Sequence, residues 1–123
     1  DGTNLIVSAG GTNELLYYKP DGFILLRRQT ITESGIPADS INELENIDGF
    51  IYANQYQTPY FLMINPASGE VVAKTDITDL WTRSKSRNSN MDVANGIAYD
   101  TATKKIYLTG KWWPELYEVQ FGQ

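Results

Sequence analysis

Short apolar runs separated by turn residues recur along the chain, and this pattern predicts β-strands throughout. The strongest local signal is the segment Ile41 to Thr58, in which two apolar runs meet at Asp48-Gly49. Such a pair between two runs is typical of a β-hairpin, because Gly supplies the positive φ of a tight turn. Ser40 to Glu43 also fits a helix capping box. That helix would reach Asp48-Gly49 within about two turns, too short to be stable alone, so we predict the hairpin.

The order of strands and turns repeats. Ile6 and Ile51 are 45 residues apart, and Ile51 and Ile106 are 55 apart. We expect the polar loop Thr82 to Asp92 to absorb the excess, and we read residues 32–40 as a further loop. The ten predicted strands are residues 5–10, 14–19, 23–31, 41–47, 51–55, 60–65, 70–77, 95–100, 106–110 and 115–121.

A period in the mid-forties with about four strands per unit is typical of a β-propeller blade. Three, four and three strands make about two and a half blades, in units of about residues 1–31, 41–77 and 95–123 of a single-domain fragment. Blades bury their faces only against neighbours, and closed propellers have about four blades or more. The predicted fold class is therefore all-β, a partial β-propeller of four-stranded antiparallel blades. The alternative is a two-sheet sandwich of ten strands.

Composition narrows the class of protein. A chain of 123 residues, 41% hydrophobic and 12% aromatic, fits one folded domain. No apolar run approaches the roughly 18 residues of a membrane span, so no membrane partner is predicted. The formal charge is −5 and no basic stripe is present. We predict no nucleic-acid partner, because phosphate neutralisation needs clustered Lys and Arg.

The chain contains neither Cys nor His. Within this chain, disulfides, thiolate nucleophiles, Ser-His-Asp triads and the usual zinc sites are therefore excluded. We predict no metal site and no cofactor. Any catalysis would rest on carboxylates, amides, Lys, Tyr or Trp.

Several stretches carry a family resemblance that covers essentially the whole chain. The segments Asn42 to Glu45, Ile51 to Asn54, Asn95 to Asp100 and Ile106 to Pro114 resemble the plant- and bacterial-type glutaminyl-peptide cyclotransferases. The resemblance implies an acyltransferase on a five-bladed β-propeller, with this chain as its C-terminal half. Such enzymes convert the N-terminal Gln of a peptide to pyroglutamate and release ammonia. The family is mostly secreted or periplasmic, so we expect that localisation.

The resemblance also assigns roles to residues. Asn42 matches the family's pocket Asn, and Lys111 matches its active-site Lys, which could stabilise an oxyanion; we take both as catalytic candidates. Tyr56 stands where the family usually has a pocket Trp, a departure that puts substrate preference or activity in doubt. Tyr56, Trp112 and Glu43 are the substrate-binding candidates. Each residue also has a structural alternative. Asn42 could be a strand or turn residue whose amide is fully hydrogen-bonded, and Lys111 a solvated surface Lys. Tyr56 could be an exposed Tyr at the rim, and Glu43 a surface carboxylate.

The position of Asn42 in a strand gives a further expectation. Glu43 and Glu45 alternate with Asn42 and Leu44, so their side chains should point away from that of Asn42. Of the pair at 112 and 113, one Trp should pack in the core and the other line the mouth of the site. Asp76 and Asp79 are a weak hint of cation binding, and Asn95 corresponds to Asn42 one unit later but is expected to satisfy a turn.

The family's presumed catalytic Glu lies in the N-terminal half and has no counterpart here. We therefore predict that the isolated chain is inactive, does not close, and exposes apolar edges. Its partner would be the missing N-terminal half or a second copy of the chain. The alternative functions are a non-catalytic β-propeller that binds peptides or acts as a scaffold, and a small β-sandwich binding module.

Overall fold

The computed structural model describes residues 1–122, which form twelve β-strands and one α-helix. Gln123, the last residue of the third predicted unit, lies outside the described residues. The strands are β1 (Leu5–Ser8), β2 (Glu14–Lys19), β3 (Ile24–Thr30), β4 (Thr32–Glu33), β5 (Ile36–Pro37), β6 (Ile41–Ile47), β7 (Phe50–Gln55), β8 (Tyr60–Ile64), β9 (Val71–Asp76), β10 (Ala94–Asp100), β11 (Lys105–Gly110) and β12 (Tyr117–Val119), and the helix is α1 (Thr78–Arg87).

The strands form antiparallel sheets in chain order. The first sheet is β1-β2-β3, the second is β6-β7-β8-β9 and the third is β10-β11-β12. This arrangement contains the ten strands predicted from the apolar pattern, grouped three, four and three. The loop predicted at residues 32–40 also holds a short hairpin, β4-β5, turned by Ser34 and Gly35, which both have positive φ.

The hairpin at the centre of the sequence pattern is confirmed. Ile47 pairs with Phe50, which leaves Asp48 and Gly49 as a two-residue turn. Their φ angles are 49° and 87°, the double positive φ that matches the twist of a hairpin. The alternative helix from Ser40 does not form, because the residues that follow it belong to β6.

The polar loop predicted at Thr82 to Asp92 is wrong over its first half, which belongs to α1. The carboxylate of Asp76 accepts hydrogen bonds from the Thr78 backbone N–H at 2.8 Å and from its hydroxyl at 2.5 Å, so the helix begins with a satisfied donor. Lys85 and Arg87 lie in the last turn, where positive charge favours the helix dipole.

Two hydrophobic cores lie on opposite faces of the second sheet. One joins it to the first sheet and includes Leu15, Ile51 and Leu62. The other joins it to the third sheet and includes Phe61 and Leu108. Each fully buried large side chain contributes about 1.5–3 kcal/mol. Three sheets therefore pack in series, and the two-sheet sandwich is not the arrangement that these residues adopt.

Contacts between the sheets give the relative directions of their strands. At the start of β10 the Ala94 carbonyl meets Asn54, which lies opposite the start of β6, and at its end Tyr99 meets Asp48, which follows β6. β6 and β10 therefore run the same way. The Ile41 N–H at the start of β6 instead donates to Thr12, which follows β1. β1 runs against them and corresponds to the second strands β7 and β11, as the spacing of Ile6, Ile51 and Ile106 indicates.

Candidate functional site

The residues singled out from the sequence lie at one end of the second and third sheets, where β6 and β10 begin and β7 and β11 end. We call this the Asn42 end. Its geometry starts from a β-bulge. Ile41 pairs with Gln55 and Leu44 with Ala53, so Asn42 and Glu43 together lie opposite the single residue Asn54.

The bulge interrupts the regular period of two at Asn42 and Glu43, because two residues lie opposite one. Asn42 is half-buried and Glu43 is exposed. A register shift also occurs between Ala94 and Gly96 of β10, so Asn95 lies in a strand irregularity and not in a turn. Asn42 and Asn95 thus occupy similar bulged positions at the start of neighbouring first strands.

Asn54 links the two sheets at this end. Its side chain is completely buried. Its Oδ1 accepts the backbone N–H of Glu43 at 2.8 Å, and its Nδ2 donates to the carbonyl of Ala94 at 2.6 Å. One amide group therefore satisfies a backbone donor of the bulge and a backbone acceptor of the neighbouring sheet.

Lys111 directly follows β11 and is held by backbone pairing to the segment before β10. Its N–H donates to Val93 at 2.9 Å, and its carbonyl accepts the N–H of Asp92 at 2.9 Å. The side chain is exposed, with Nζ 3.4 Å from the Asp92 carboxylate and 4.8 Å from the centre of the Trp112 ring. The cation therefore lies beside an anion and an aromatic face.

The Trp pair divides as expected into an outer and an inner ring. Trp112 is 65% exposed and Trp113 is 9% exposed. The indole N–H of Trp113 donates to the Asp92 carbonyl at 2.8 Å, and its ring meets Trp81 edge to face. Trp81 therefore serves packing. The backbone after β11 is fixed by Trp113, and Trp112 projects at the surface next to Lys111.

Tyr56 also lies at the Asn42 end, directly after β7. Its backbone N–H donates to the carbonyl of Ser40 at 2.7 Å. Its side chain is 43% exposed, which is consistent with a ring on the rim of a site. Tyr56 follows the strand that carries Asn54, so the pairing of β6 with β7 brings Tyr56 and Asn42 to the same end of the second sheet.

Helix α1 supports the segment that follows Lys111. The hydroxyl groups of Ser84 and Tyr117 are 2.8 Å apart, and Arg83 and Arg87 form ion pairs with Glu115. The hydrogen bond from Tyr117, together with the two guanidinium groups, holds the pKa of Glu115 below its usual value. Asn88, after the helix, donates to the Trp112 carbonyl at 2.8 Å. The backbone of Lys111 and Trp112 is therefore held by hydrogen bonds to Asp92 and Val93 and by the side chain of Asn88.

Other features lie away from the five candidates. A cleft of about 760 Å³ opens between the turns at Asp48 and Lys104 and is lined by none of the candidates. Glu45 lies by a smaller cleft beside β1, where burial raises the pKa of its carboxyl. The Asp76 carboxylate is hydrogen-bonded to Thr78 at the start of α1, and among residues 1–122 no group of three or more acidic side chains is placed to hold a metal ion. The described part of the chain contains no helix long and apolar enough to cross a bilayer.

Sequence reasoning missed two residues of this site. Asn54 belongs to a motif that carries the family resemblance but receives no role from it, although a polar residue within a run such as Ile51-Tyr52-Ala53-Asn54 signals a buried hydrogen-bonding role. Asp92 falls at the end of the predicted polar loop. Its contact with Lys111 depends on pairing across 19 residues of chain, and no local pattern marks it.

A match to a protein-family model shows to which family the chain belongs. The family model for glutamine cyclotransferase matches residues 1–121. The chain belongs to the glutamine cyclotransferase family. It is 31% identical over 120 residues to the glutaminyl-peptide cyclotransferase of Arabidopsis thaliana, a match that covers 96% of this chain.

A solved cyclotransferase structure is also similar. The crystal structure of Myxococcus xanthus glutaminyl cyclase matches 96% of this chain at 39% identity with a TM-score of 0.91. The chain spans 37% of the Arabidopsis protein and 51% of the Myxococcus chain. It therefore corresponds to about half or less of the length of these relatives.

Proposed function

We propose that this chain contributes the Asn42 end to a glutaminyl-peptide cyclotransferase, which converts the N-terminal Gln of a peptide to pyroglutamate and releases ammonia. Membership of the glutamine cyclotransferase family supports this activity. The observation that carries the proposal is the arrangement of Asn42 and Lys111, which come from different sheets and are joined at one end through Asn54 and the segment 92–94.

We further propose that the three sheets belong to a five-bladed β-propeller. The first sheet begins with β1, which runs in the same direction as the second strands β7 and β11 of the other two sheets. The third sheet has three strands among residues 1–122. Ten strands in groups of three, four and three are half of the twenty that five four-stranded blades require. The half-length match to the Myxococcus xanthus cyclase supports the same proportion. In this proposal the chain is the C-terminal half.

The reaction needs no external nucleophile. The α-amine of the substrate attacks its own γ-carboxamide carbon, so a C–N bond forms in the ring while the bond to the amide nitrogen breaks. The attacking amine loses a proton and the departing nitrogen gains one, which yields ammonia. Holding the Gln side chain curled supplies much of the acceleration, because the reaction is intramolecular.

In the proposed complex, Asn42 binds the substrate amide and the Lys111 ammonium stabilises the developing oxyanion. The exposed rings of Tyr56 and Trp112 cover the substrate, and the Glu43 carboxylate contacts it at the entrance. A carboxyl group outside this chain transfers the protons. No metal or cofactor takes part in the proposed reaction.

The proposal gives the chain a specific partner. The missing N-terminal half supplies the proton-transferring carboxyl and completes the ring, and a second copy of this chain is the alternative occupant. We expect the isolated chain to be inactive. For the assembled protein we propose secretion or export to the periplasm, in line with the resemblance of the sequence.

The test is a hybrid protein in which residues 1–123 replace the matching segment of the Myxococcus xanthus cyclase. We expect ammonia release from a Gln-initiated peptide by the hybrid and none by the chain alone. Asn42→Ala and Lys111→Met should each lower kcat/KM by on the order of 10²-fold, because each removes a group that acts on the reacting amide.

Lys105→Met is the matched control, since Lys105 is an exposed Lys that pairs with Glu118 away from the Asn42 end. A folded hybrid whose turnover is unchanged by Asn42→Ala and Lys111→Met would contradict the assignment. Binding of the peptide without ammonia release would favour a non-catalytic β-propeller that binds peptides. One observation favours that second function, namely the smaller ring of Tyr56 at the rim.

A further inference from the structure

We propose that Asn54 is a positioning residue that sets Asn42 and Lys111 in register with each other. The catalytic roles of Asn42 and Lys111 rest on the proposed function, whereas the contacts that Asn54 makes do not depend on it. Asn54 is the buried side chain that contacts both the strand of Asn42 and the strand next to Lys111.

The first contact fixes the bulge. Because Asn42 and Glu43 share one opposite residue, the regular register of the ladder is interrupted between Ile41 and Leu44. The Oδ1 of Asn54 accepts the Glu43 N–H at 2.8 Å. The bulge is therefore held in a single conformation, and so is the direction in which Asn42 leaves the strand.

The second contact fixes the neighbouring sheet. The Nδ2 of Asn54 donates to the Ala94 carbonyl at 2.6 Å, and the preceding carbonyl, of Val93, accepts the Lys111 N–H at 2.9 Å. A shift of Ala94 relative to β6 would therefore carry Lys111 with it. Through these two hydrogen bonds, Asn54 fixes the separation between Asn42 and Lys111.

The role requires one donor and one acceptor on the same small group, which an amide provides. In Asn54→Asp the ionised carboxylate still accepts from Glu43 but faces the Ala94 carbonyl without a proton to donate. In Asn54→Leu both bonds are lost. The two variants therefore separate the contact to β6 from the contact to β10.

The experiment is amide hydrogen exchange, measured by mass spectrometry on the 123-residue chain at about pH 7. For Asn54→Asp we expect faster exchange in segments 92–98 and 109–113, with segment 41–46 close to the original protein. For Asn54→Leu we expect faster exchange in all three. Asn65→Asp is the matched control, because Asn65 Oδ1 also accepts a backbone N–H, that of Ala67, but at a distant turn.

Measuring exchange at several pH values distinguishes the proposed role from a general loss of stability, which would not produce the pH dependence expected for Asn54→Asp alone. Burial raises the pKa of a carboxyl group, and the protonated side chain of the Asn54→Asp variant can donate to Ala94 as the amide does. Exchange in segments 92–98 and 109–113 should therefore slow again towards about pH 5 in Asn54→Asp, after correction for the intrinsic rate, and not in Asn54→Leu. The charged side chains of Glu43, Asp92 and Lys111 are common to both variants.

In the hybrid enzyme, Asn54→Asp should lower kcat by on the order of 10²-fold at about pH 7 through misplacement of the reacting groups, with partial recovery towards about pH 5. The role of Asn54 is overturned if Asn54→Asp leaves segments 92–98 and 109–113 unchanged, or if Asn65→Asp alters them equally. A hybrid without turnover, alongside the expected exchange pattern, would instead count against the proposed function alone.

Discussion

Two Tyr hydroxyl groups in similar sheets have opposite surroundings. The hydroxyl of Tyr17 is buried between the first and second sheets, and it has no hydrogen-bond partner within residues 1–122. Burial raises its pKa, although the Arg27 guanidinium over the ring opposes this. The hydroxyl of Tyr117 bonds both Ser84 and Glu115. The same group should therefore cost stability at one site and add stability at the other.

We predict that Tyr17→Phe leaves the free energy of unfolding unchanged or raises it by about 1 kcal/mol, because an unsatisfied buried hydroxyl is removed. Tyr117→Phe, the matched change, should lower it by about 1–3 kcal/mol, because Ser84 and Glu115 lose a partner. Urea unfolding followed by far-UV circular dichroism measures both. A larger loss for Tyr17→Phe than for Tyr117→Phe would contradict this interpretation of the two sites.

Gly110 ends β11 where the chain turns into Lys111. A Cβ at this position would lie 2.5 Å from the Val93 carbonyl oxygen and also overlap the Trp113 ring. Gly110→Ala should therefore destabilise the protein by about 1–3 kcal/mol and reduce turnover by the hybrid, because Lys111 is displaced. Thermal unfolding and ammonia release measure the two effects. Gly122→Ala, whose Cβ meets nothing within 4 Å, should change neither.

At the scale of elements, ion pairs from Arg83 and Arg87 to Glu115 contribute to the contact between α1 and the segment before β12. Hydrogen bonding by Tyr117 and the charges of Arg87 and Arg83 lower the pKa of Glu115. A carboxyl with a lowered folded-state pKa contributes stability above its unfolded pKa and loses that contribution as pH falls through the folded value. The contribution is therefore present at about pH 7 and disappears below the ordinary Glu range near about pH 4.

We predict that Glu115→Gln lowers the melting temperature at about pH 7 and that the gap to the original protein closes as pH falls from about 5 to about 3. Melting curves across that range measure the gap. Glu118→Gln on β12 removes an exposed pair with Lys105 and should have little effect at any of these pH values. A gap for Glu115→Gln that stays constant over the whole range would show that its ionisation is not responsible.

Elements whose stabilisation is local were predictable from the sequence, and those stabilised by distant contacts were not. The β6-β7 hairpin depends on Asp48-Gly49, and the spacing of Ile6, Ile51 and Ile106 marks equivalent second strands. Helix α1 is polar along most of its length, and its support comes from Ser84 with Tyr117 and from Trp81 with Trp113. Those partners lie far along the chain, so no local pattern could reveal them.

The candidate site shows the same division. Asn42, Tyr56 and Lys111 could be selected because their motifs resemble a family, and the structure brings them to one end of two sheets. The bulge at Asn42 does not follow from simple alternation, because the extra residue shifts the phase of the strand, so that Ile41 and Leu44, three residues apart, both contact the core shared with the first sheet. Asn54 completes the bulge from the opposite strand, and its role becomes visible only when both strands are in place.

At the scale of the whole molecule, the first and second sheets differ in how their faces are covered. The second sheet is covered on both faces. In the first sheet, Ile6 and Leu15 face the second sheet, whereas Leu5 and Val7 point to the opposite side, with exposures of 40% and 37%. Leu25, aligned with Leu5 through Tyr18, is also exposed. This uncovered apolar face is where a further sheet would pack.

We predict that the chain alone associates above its monomer mass of 13.8 kDa in a concentration-dependent way, because the uncovered face of the first sheet removes apolar surface from water when it pairs. The double change Leu5→Glu with Leu25→Glu should shift the protein towards monomer, whereas Val72→Glu, at an exposed position of β9 in the second sheet, should not. Sedimentation velocity at several concentrations measures the distribution. A monodisperse 13.8 kDa species at every concentration would mean that this face needs no partner, and the open ring proposed for the chain would lose its main physical reason to close.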